Sequence, residues 1–217
     1  SQVVPAEKKK QEKPLPEALA NQGVESFAWD PQGEKMAFWD PADEKLKLWS
    51  NNVVKTITPI AKGPIPLRWV WAPSQALVLG VAGRDLYRID LQSTSKKKAV
   101  MAFDPSHFMW SNQGDFVLVN DPENKIHRLM GQTLTPESVD LGVNLEKAVW
   151  SRDGKLIYAI EDAKENKTTV KAYDFDSKAE SEITVKYDFP ISKIVTDENG
   201  SIYFFNERQQ NWFLLDA

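Results

Sequence analysis

At 217 residues, with 41% hydrophobic side chains and a net charge of −4, the chain is long enough to bury a sizeable core and lacks the basic balance of a nucleic-acid-binding domain. It contains no cysteine, which excludes disulfides and thiolate chemistry, and no apolar run approaches the length that spans a bilayer. The missing cysteine fits an oxidising compartment, so a periplasmic or other extracytoplasmic location is the expectation.

Residues 1–23 are rich in proline, lysine and glutamate and poor in apolar side chains, a composition that predicts an extended linker and a tether to a membrane or an upstream domain. From residue 24 to 217 the chain reads as one domain of short strands. The first unit, VESFAW, KMAFW, KLKLW and VVKTITPI, alternates with period two and is punctuated by DPQG, DPAD and SNN. Proline, aspartate, asparagine and glycine in those gaps are turn chemistry, each for its own backbone reason. The unit then recurs: RWVWAPSQALVLG, HFMWSNQGDFVLV, KAVWSRDGKLIYAI and KIVTDENGSIYFF follow in order. Trp29, Trp71, Trp110 and Trp150 close the first strand of four units at intervals of roughly 40 residues. Thr196 takes that position in the fifth, after a polar insertion at 161–168.

A large aromatic at the end of an inner strand is expected to be core. Four short strands repeated five times predict an all-β fold, a single β-propeller of five blades with about four antiparallel strands each. The last unit ends one strand short, which predicts that part of residues 1–23 pairs with the final blade so that no edge is left open.

The segments AWDPQGEKMAF, MWSNQGDFVLV and VWSRDGKLIYAI resemble the WSPDGKKIAF-type motif of TolB-like and related WD-type β-propeller repeats. The second unit departs from it with APSQ, and the fifth lacks the tryptophan. The resemblance implies radially arranged antiparallel sheets over residues 24–217. It implies no particular activity, because such folds host scaffolds, receptors and non-catalytic caps alike.

Chemistry-bearing motifs are sparse. The two histidines, His107 and His127, fall on different kinds of strand and are not expected to converge, so no metal site is expected. The sequence has no GxSxG elbow, phosphate loop or dinucleotide fingerprint, and no cofactor is expected. Acidic pairs such as those in DPAD, EDAKE and DFD sit in turns; a carboxylate-type hydrolase or lyase is the remote enzymatic alternative.

The repeat does align one constellation. Three residues before each tryptophan position stand Ser26, Arg68, His107, Lys147 and Lys193. The four basic members form a candidate ring at the channel mouth for an anion or for the acidic group of a partner. Trp39, Trp49 and Trp212 lie outside the repeated tryptophan position and are candidate interface aromatics. These features predict a non-enzymatic interaction or scaffold module of a bacterial cell-envelope assembly, with a protein partner, no nucleic acid and no direct membrane insertion. A small-anion or glycan receptor using the channel mouth is the second expectation.

Overall fold

The computed structural model describes residues 16–20, 24, 26–42, 44–59, 68–73, 76–93, 95–130, 134–139, 141–162, 167–187, 189–197 and 199–215. Sheet 1 comprises β1 (Ser26–Trp29), β2 (Lys35–Asp40), β3 (Lys45–Ser50) and β4 (Val53–Pro59). Sheet 2 comprises β5 (Arg68–Trp71), β6 (Leu77–Ala82), β7 (Asp85–Asp90) and β8 (Lys96–Val100). Sheet 3 is built from β9 (Phe108–Trp110), β10 (Phe116–Asn120), β11 (Ile126–Met130) and β12 (Pro136–Val139). Sheet 4 holds β13 (Ala148–Trp150), β14 (Leu156–Asp162), β15 (Lys167–Asp174) and β16 (Ala179–Tyr187). Sheet 5 has three strands, β17 (Lys193–Thr196), β18 (Ile202–Asn206) and β19 (Asn211–Leu214). Every strand pairs antiparallel with its chain neighbour inside its sheet, so the fold is all-β and built almost entirely from consecutive hairpins.

The core lies between the sheets. Ala37, Trp39 and Leu46 of sheet 1 pack with Trp69, Trp71 and Tyr87 of sheet 2, and the same relation recurs between sheets 2 and 3, 3 and 4, and 4 and 5. Strand alternation accounts for this. Trp69 faces Gly80 across the β5–β6 pair, and its ring occupies the space where a Cβ on residue 80 would stand. A glycine inside a strand therefore marks a close approach of an aromatic ring.

The inner hairpin turns follow one recipe. Asp30 Oδ1 accepts the amide hydrogens of Glu34 at 2.7 Å and Lys35 at 3.0 Å, and Ser111 Oγ, Ser151 Oγ and Asp197 Oδ1 accept equivalent amides in sheets 3, 4 and 5. In the same turns Gly114 and Gly154 have φ of 76° and 84°, a region that favours glycine over any residue with a Cβ. Sheet 2 has Ala72 and Pro73 instead, and among the described residues of this turn the backbone bond from the Ala72 amide to the Leu77 carbonyl, at 2.9 Å, is kept.

Several turn carboxylates sit below their ordinary range. The amides of Ser93 and Gln92 hold Asp90 down, those of Ser177 and Asp176 hold Asp174, and burial works against the amides of Ser201 and Asn199 at Asp197 without overcoming them. Because the unfolded chain takes up these protons first, the stability these groups contribute is complete above about pH 4 to 5 and is lost as pH falls through the lower folded-state values. Guanidinium unfolding is thus expected to have a constant midpoint from about pH 7 to pH 5 and a falling one below about pH 4. An unchanged midpoint at pH 3 would contradict the turn assignments.

The described part of the N-terminal segment differs from the sequence expectation. The strand predicted from residues 1–23 falls mostly outside the described residues, and the described part is a single helical turn, α1 (Glu17–Ala20). Its Leu19 lies buried against Met36 and Phe38 on the face of sheet 1 turned away from sheet 2. The sequence EALA lacks β-branched residues and follows Pro16, so a helical turn suits it better than a strand. The final sheet has three strands among the described residues, the number that the short last unit itself supplies, and no core cluster of described residues joins it to sheet 1.

Candidate functional site

The first strand of sheets 2, 3 and 4 ends in a tryptophan that ties it to the sheet before. Trp71 Nε1 donates to the carbonyl of Ala28 at 2.8 Å, Trp110 Nε1 to that of Val70 at 3.2 Å, and Trp150 Nε1 to that of Trp110 at 2.6 Å. Each indole thus buries ring area between two sheets and satisfies its N–H on the neighbour's inner strand. Trp29, in the first sheet, instead meets Trp49 edge to face at 5.6 Å.

At the opposite end of these strands lie the four cations that the repeat aligns. Arg68 Nη1 and Nη2 donate to the carbonyls of Ser106 at 2.8 Å and Pro105 at 2.9 Å, and its guanidinium lies 5.2 Å from the Phe108 ring centroid. His107 Nε2 stands 2.8 Å from Glu146 Oε1, and Lys147 Nζ is 2.6 Å from Glu161 Oε1. Lys193 Nζ lies 6.0 Å from the Trp212 ring centroid. Arg68 and His107 therefore reach forward from sheets 2 and 3 to the segments that open sheets 3 and 4. Such exposed pairs contribute about 0.2–1 kcal/mol each, so their value is in aligning the sheets more than in stability.

The two histidines remain apart in role. His127, on β11, has Nε2 at 3.1 Å from Asp121 Oδ2 and its ring 4.5 Å from that of Phe103. Burial alone would raise the Asp121 carboxyl, but the imidazole and the amides of Lys125 and Glu123 hold it below the usual range. Tyr158 is fully buried and donates to Glu180; burial first, then that carboxylate, push its hydroxyl far above the ordinary tyrosine range. Among the described residues no group of histidine, aspartate and glutamate is arranged to hold a metal ion.

The three candidate interface aromatics separate. Trp39 is 4% exposed and belongs to the core between sheets 1 and 2, where alternation with Ala37 places it, so it is removed from any exposed interface. Trp49 is half-buried on the other face of sheet 1 and lies directly across from Val54 in the β3–β4 pair. Val53 and Val54 are 64% and 42% exposed, and the turn that presents them has φ of 50° at Asn51 and 62° at Asn52. Two consecutive left-handed asparagines make a tight hairpin turn whose twist matches the strands it joins, so this apolar tip is held rigidly. Trp212 is half-buried, with its ring centroid 4.9 Å from that of Phe205 across the β18–β19 pair.

Two clefts open at the end where the repeated tryptophans stand. One of about 290 Å³ lies between the inner turns of sheets 1 and 2, walled by Trp71, Pro73, Ala76 and Leu91 and rimmed by Gln32 and Gln92. The other, of about 350 Å³, lies at the turns of sheets 3 to 5 and is more polar, with Asn112, Arg152, Asp197 and Asn199 in its walls. Sequence reasoning missed both. The signal for each was a departure from the repeat, Ala72 and Pro73 in the second unit and Thr196 in the fifth.

No family model matches the sequence, and no curated protein matches it. Among solved structures the chain is similar to Kuenenia stuttgartiensis hydrazine synthase, with a TM-score of 0.54 and 13% identity over 89% of this chain and 61% of that one. It is also similar to the tricorn protease, with a TM-score of 0.59 and 15% identity over 84% of this chain and 19% of that one. The chain therefore spans less than two thirds of either neighbour. Both neighbours contain β-propellers, and the fold of this chain is of the propeller type. In total 1032 solved chains match, a number that makes the fold too widespread to select a function.

Proposed function

We propose that the chain is a five-bladed propeller of the TolB-like, WD-type kind that serves as a non-enzymatic protein interaction module of a bacterial cell-envelope assembly. In this reading each of the five sheets is a blade, the ring closes between sheets 5 and 1, and residues 1–23 tether the domain on the extracytoplasmic side of a membrane. The observation that supports an interaction role is the apolar tip of the β3–β4 hairpin, where Val54 stands exposed beside Trp49 and Val53, across from Ser50, is exposed on the opposite face. Exposed apolar groups gathered on an ordered element favour protein contact, and a pre-organised hairpin loses little conformational entropy on docking.

By contrast, the outer strand of sheet 2 carries Lys96, Lys97 and Lys98, a charge run that discourages strand addition at that edge. The receptor alternative draws less support, because Arg68, His107 and Lys147 already have partners in neighbouring segments. A photo-crosslinking residue at position 53 of the full-length protein in its own cells is expected to give one discrete adduct. The same residue at position 97 is expected to give none. The adduct should disappear on Val54→Asp while the melting temperature of the purified domain stays within about 2 °C of the parent, as for a surface change. Equal adducts at both positions, or none at either, would remove the interaction role from this hairpin.

A further inference from the structure

The fifth unit breaks the tryptophan pattern at the place where the larger cleft opens. In sheets 2, 3 and 4 an indole fills the gap to the preceding sheet and donates to its inner strand. Thr196 stands at that position in sheet 5, exposed, and supplies neither the ring nor the N–H. The cleft of about 350 Å³ lies there, with Thr196 and Trp150 in its walls beside Asn112, Arg152, Asp197 and Asn199. Its volume exceeds what a single indole needs and leaves room for a polar substituent.

The charges in this cleft are unequal in availability. Asp197 is committed: Oδ1 accepts the amides of Asn199 at 2.8 Å and Ser201 at 2.9 Å, and Oδ2 accepts the Tyr203 hydroxyl at 3.1 Å. Arg152 makes no hydrogen bond or ion pair among the described residues, and its aliphatic stem lies along Gly200 of the next turn. A side chain on residue 200 would press on that stem, its Cβ standing 3.3 Å from Arg152 Cβ. Arg152 is thus laid across the sheet 4 to sheet 5 gap with its guanidinium unspent, in a form suited to a carboxylate.

We propose that this cleft binds a flat, N–H-bearing aromatic group that carries a carboxylate, the ring taking the place of the absent fifth tryptophan and the carboxylate meeting Arg152. The ligand is an indole-type acid, presented as a free molecule or as the C-terminal tryptophan of a polypeptide. This site stands independently of the hairpin interface and of the assembly role assigned above.

The test uses the ¹⁵N-labelled full chain titrated with N-acetyl-tryptophan. Saturable shifts are expected at the amides of Asn112, Ser151, Arg152 and Gly200, with a dissociation constant on the order of 1 mM for a ligand of this size in an open cleft. N-acetyl-tryptophanamide, which lacks the carboxylate, is expected to bind roughly threefold more weakly, the size typical of an exposed ion pair. In Arg152→Gln the acid and the amide should bind equally. In Thr196→Trp, whose own ring fills the gap, the shifts should vanish while the melting temperature holds or rises. A short peptide ending in tryptophan identifies the source: binding more than about tenfold tighter than the free acid assigns the site to a polypeptide terminus, and equal binding assigns it to a small molecule. No shift at roughly 10 mM ligand, or shifts that survive Thr196→Trp, would overturn the proposal. Should Thr196→Trp fail to fold, equal loss of the acid's advantage in Arg152→Gln and in the parent at high salt still decides it, because an unchanged preference in both removes the carboxylate contact.

Discussion

Trp110→Ala is expected to lower the unfolding free energy by about 3–5 kcal/mol, the cost of emptying a buried aromatic site that its neighbours cannot refill. Trp110 is 6% exposed and packs in the cluster shared by sheets 2 and 3, with Leu79, Val81 and Val117 among its neighbours. Its indole donates to the Val70 carbonyl, and its own carbonyl accepts the Trp150 indole, so it links three sheets. Trp110→Phe separates the contributions. Most of the buried area survives, the N–H does not, and the loss should shrink to about 1–2 kcal/mol, made up of one hydrogen bond and a small void. Trp150→Ala is expected to cost less than Trp110→Ala, since Trp150 is half-buried and rests on Phe116 and Phe175 at ring distances of 5.8 and 5.7 Å. Guanidinium unfolding followed by circular dichroism and by fluorescence gives all three values. Coincident single transitions are expected, because neighbouring sheets share their core clusters from sheet 1 to sheet 5. A Trp110→Ala variant within about 1 kcal/mol of the parent would show that the indole is not a joint between sheets.

What could be read from the sequence was whatever a short window encodes. Period-two alternation places the strands, and the D/S-x-x-G gaps place the inner turns because one side chain, one glycine and nearby backbone amides settle each of them locally. The repeated tryptophans could be assigned to the core because they sit at the same register in every unit. The contacts between units could not be read in this way. Arg68 looked like a free cation, yet its partners are two carbonyls in the next connection, and a backbone carbonyl carries no sequence signature. Trp39 looked available because it stands outside the repeated position, but its strand face, fixed by pairing with Ser26 and Leu46, turns it into the gap between sheets. Val53 and Val54 carry no sequence signal because two valines in a strand are ordinary, and only their exposure, with Val54 beside Trp49, sets them apart. The larger cleft was visible only as a substitution, Thr196, whose consequence depends on what the other tryptophans do in space.

Asn120→Leu is the second change expected to be severe, at about 2–4 kcal/mol, because it strands two buried backbone groups while keeping nearly the same side-chain shape. Asn120 ends β10 with no exposure. Its Oδ1 accepts the Leu145 amide at 2.7 Å, and its Nδ2 donates to the Val143 carbonyl at 2.9 Å and the Asn124 carbonyl at 3.3 Å. One side chain therefore closes the turn of its own sheet and clamps the connection that leads into sheet 4, where Leu145 and Val143 are both buried. Leucine offers that connection neither a donor nor an acceptor, and no water route is open to groups so enclosed. Asn120→Asp tests the same clamp by charge. The carboxylate can still accept from Leu145, but it faces two carbonyls and is buried, so its pKa in the folded state is raised above the unfolded value. Such a group contributes stability that is present at low pH and lost as pH rises through the folded-state value. The aspartate variant should therefore be far less stable than the parent at pH 7 and close part of that gap near pH 4.5, where a protonated carboxyl donates to Val143. The leucine variant has no titrating group at this position, so its deficit should stay constant between the same two pH values. A deficit that is equally large at both pH values for the aspartate variant would mean that the Val143 carbonyl does not need a donor, and that the clamp acts through Leu145 alone.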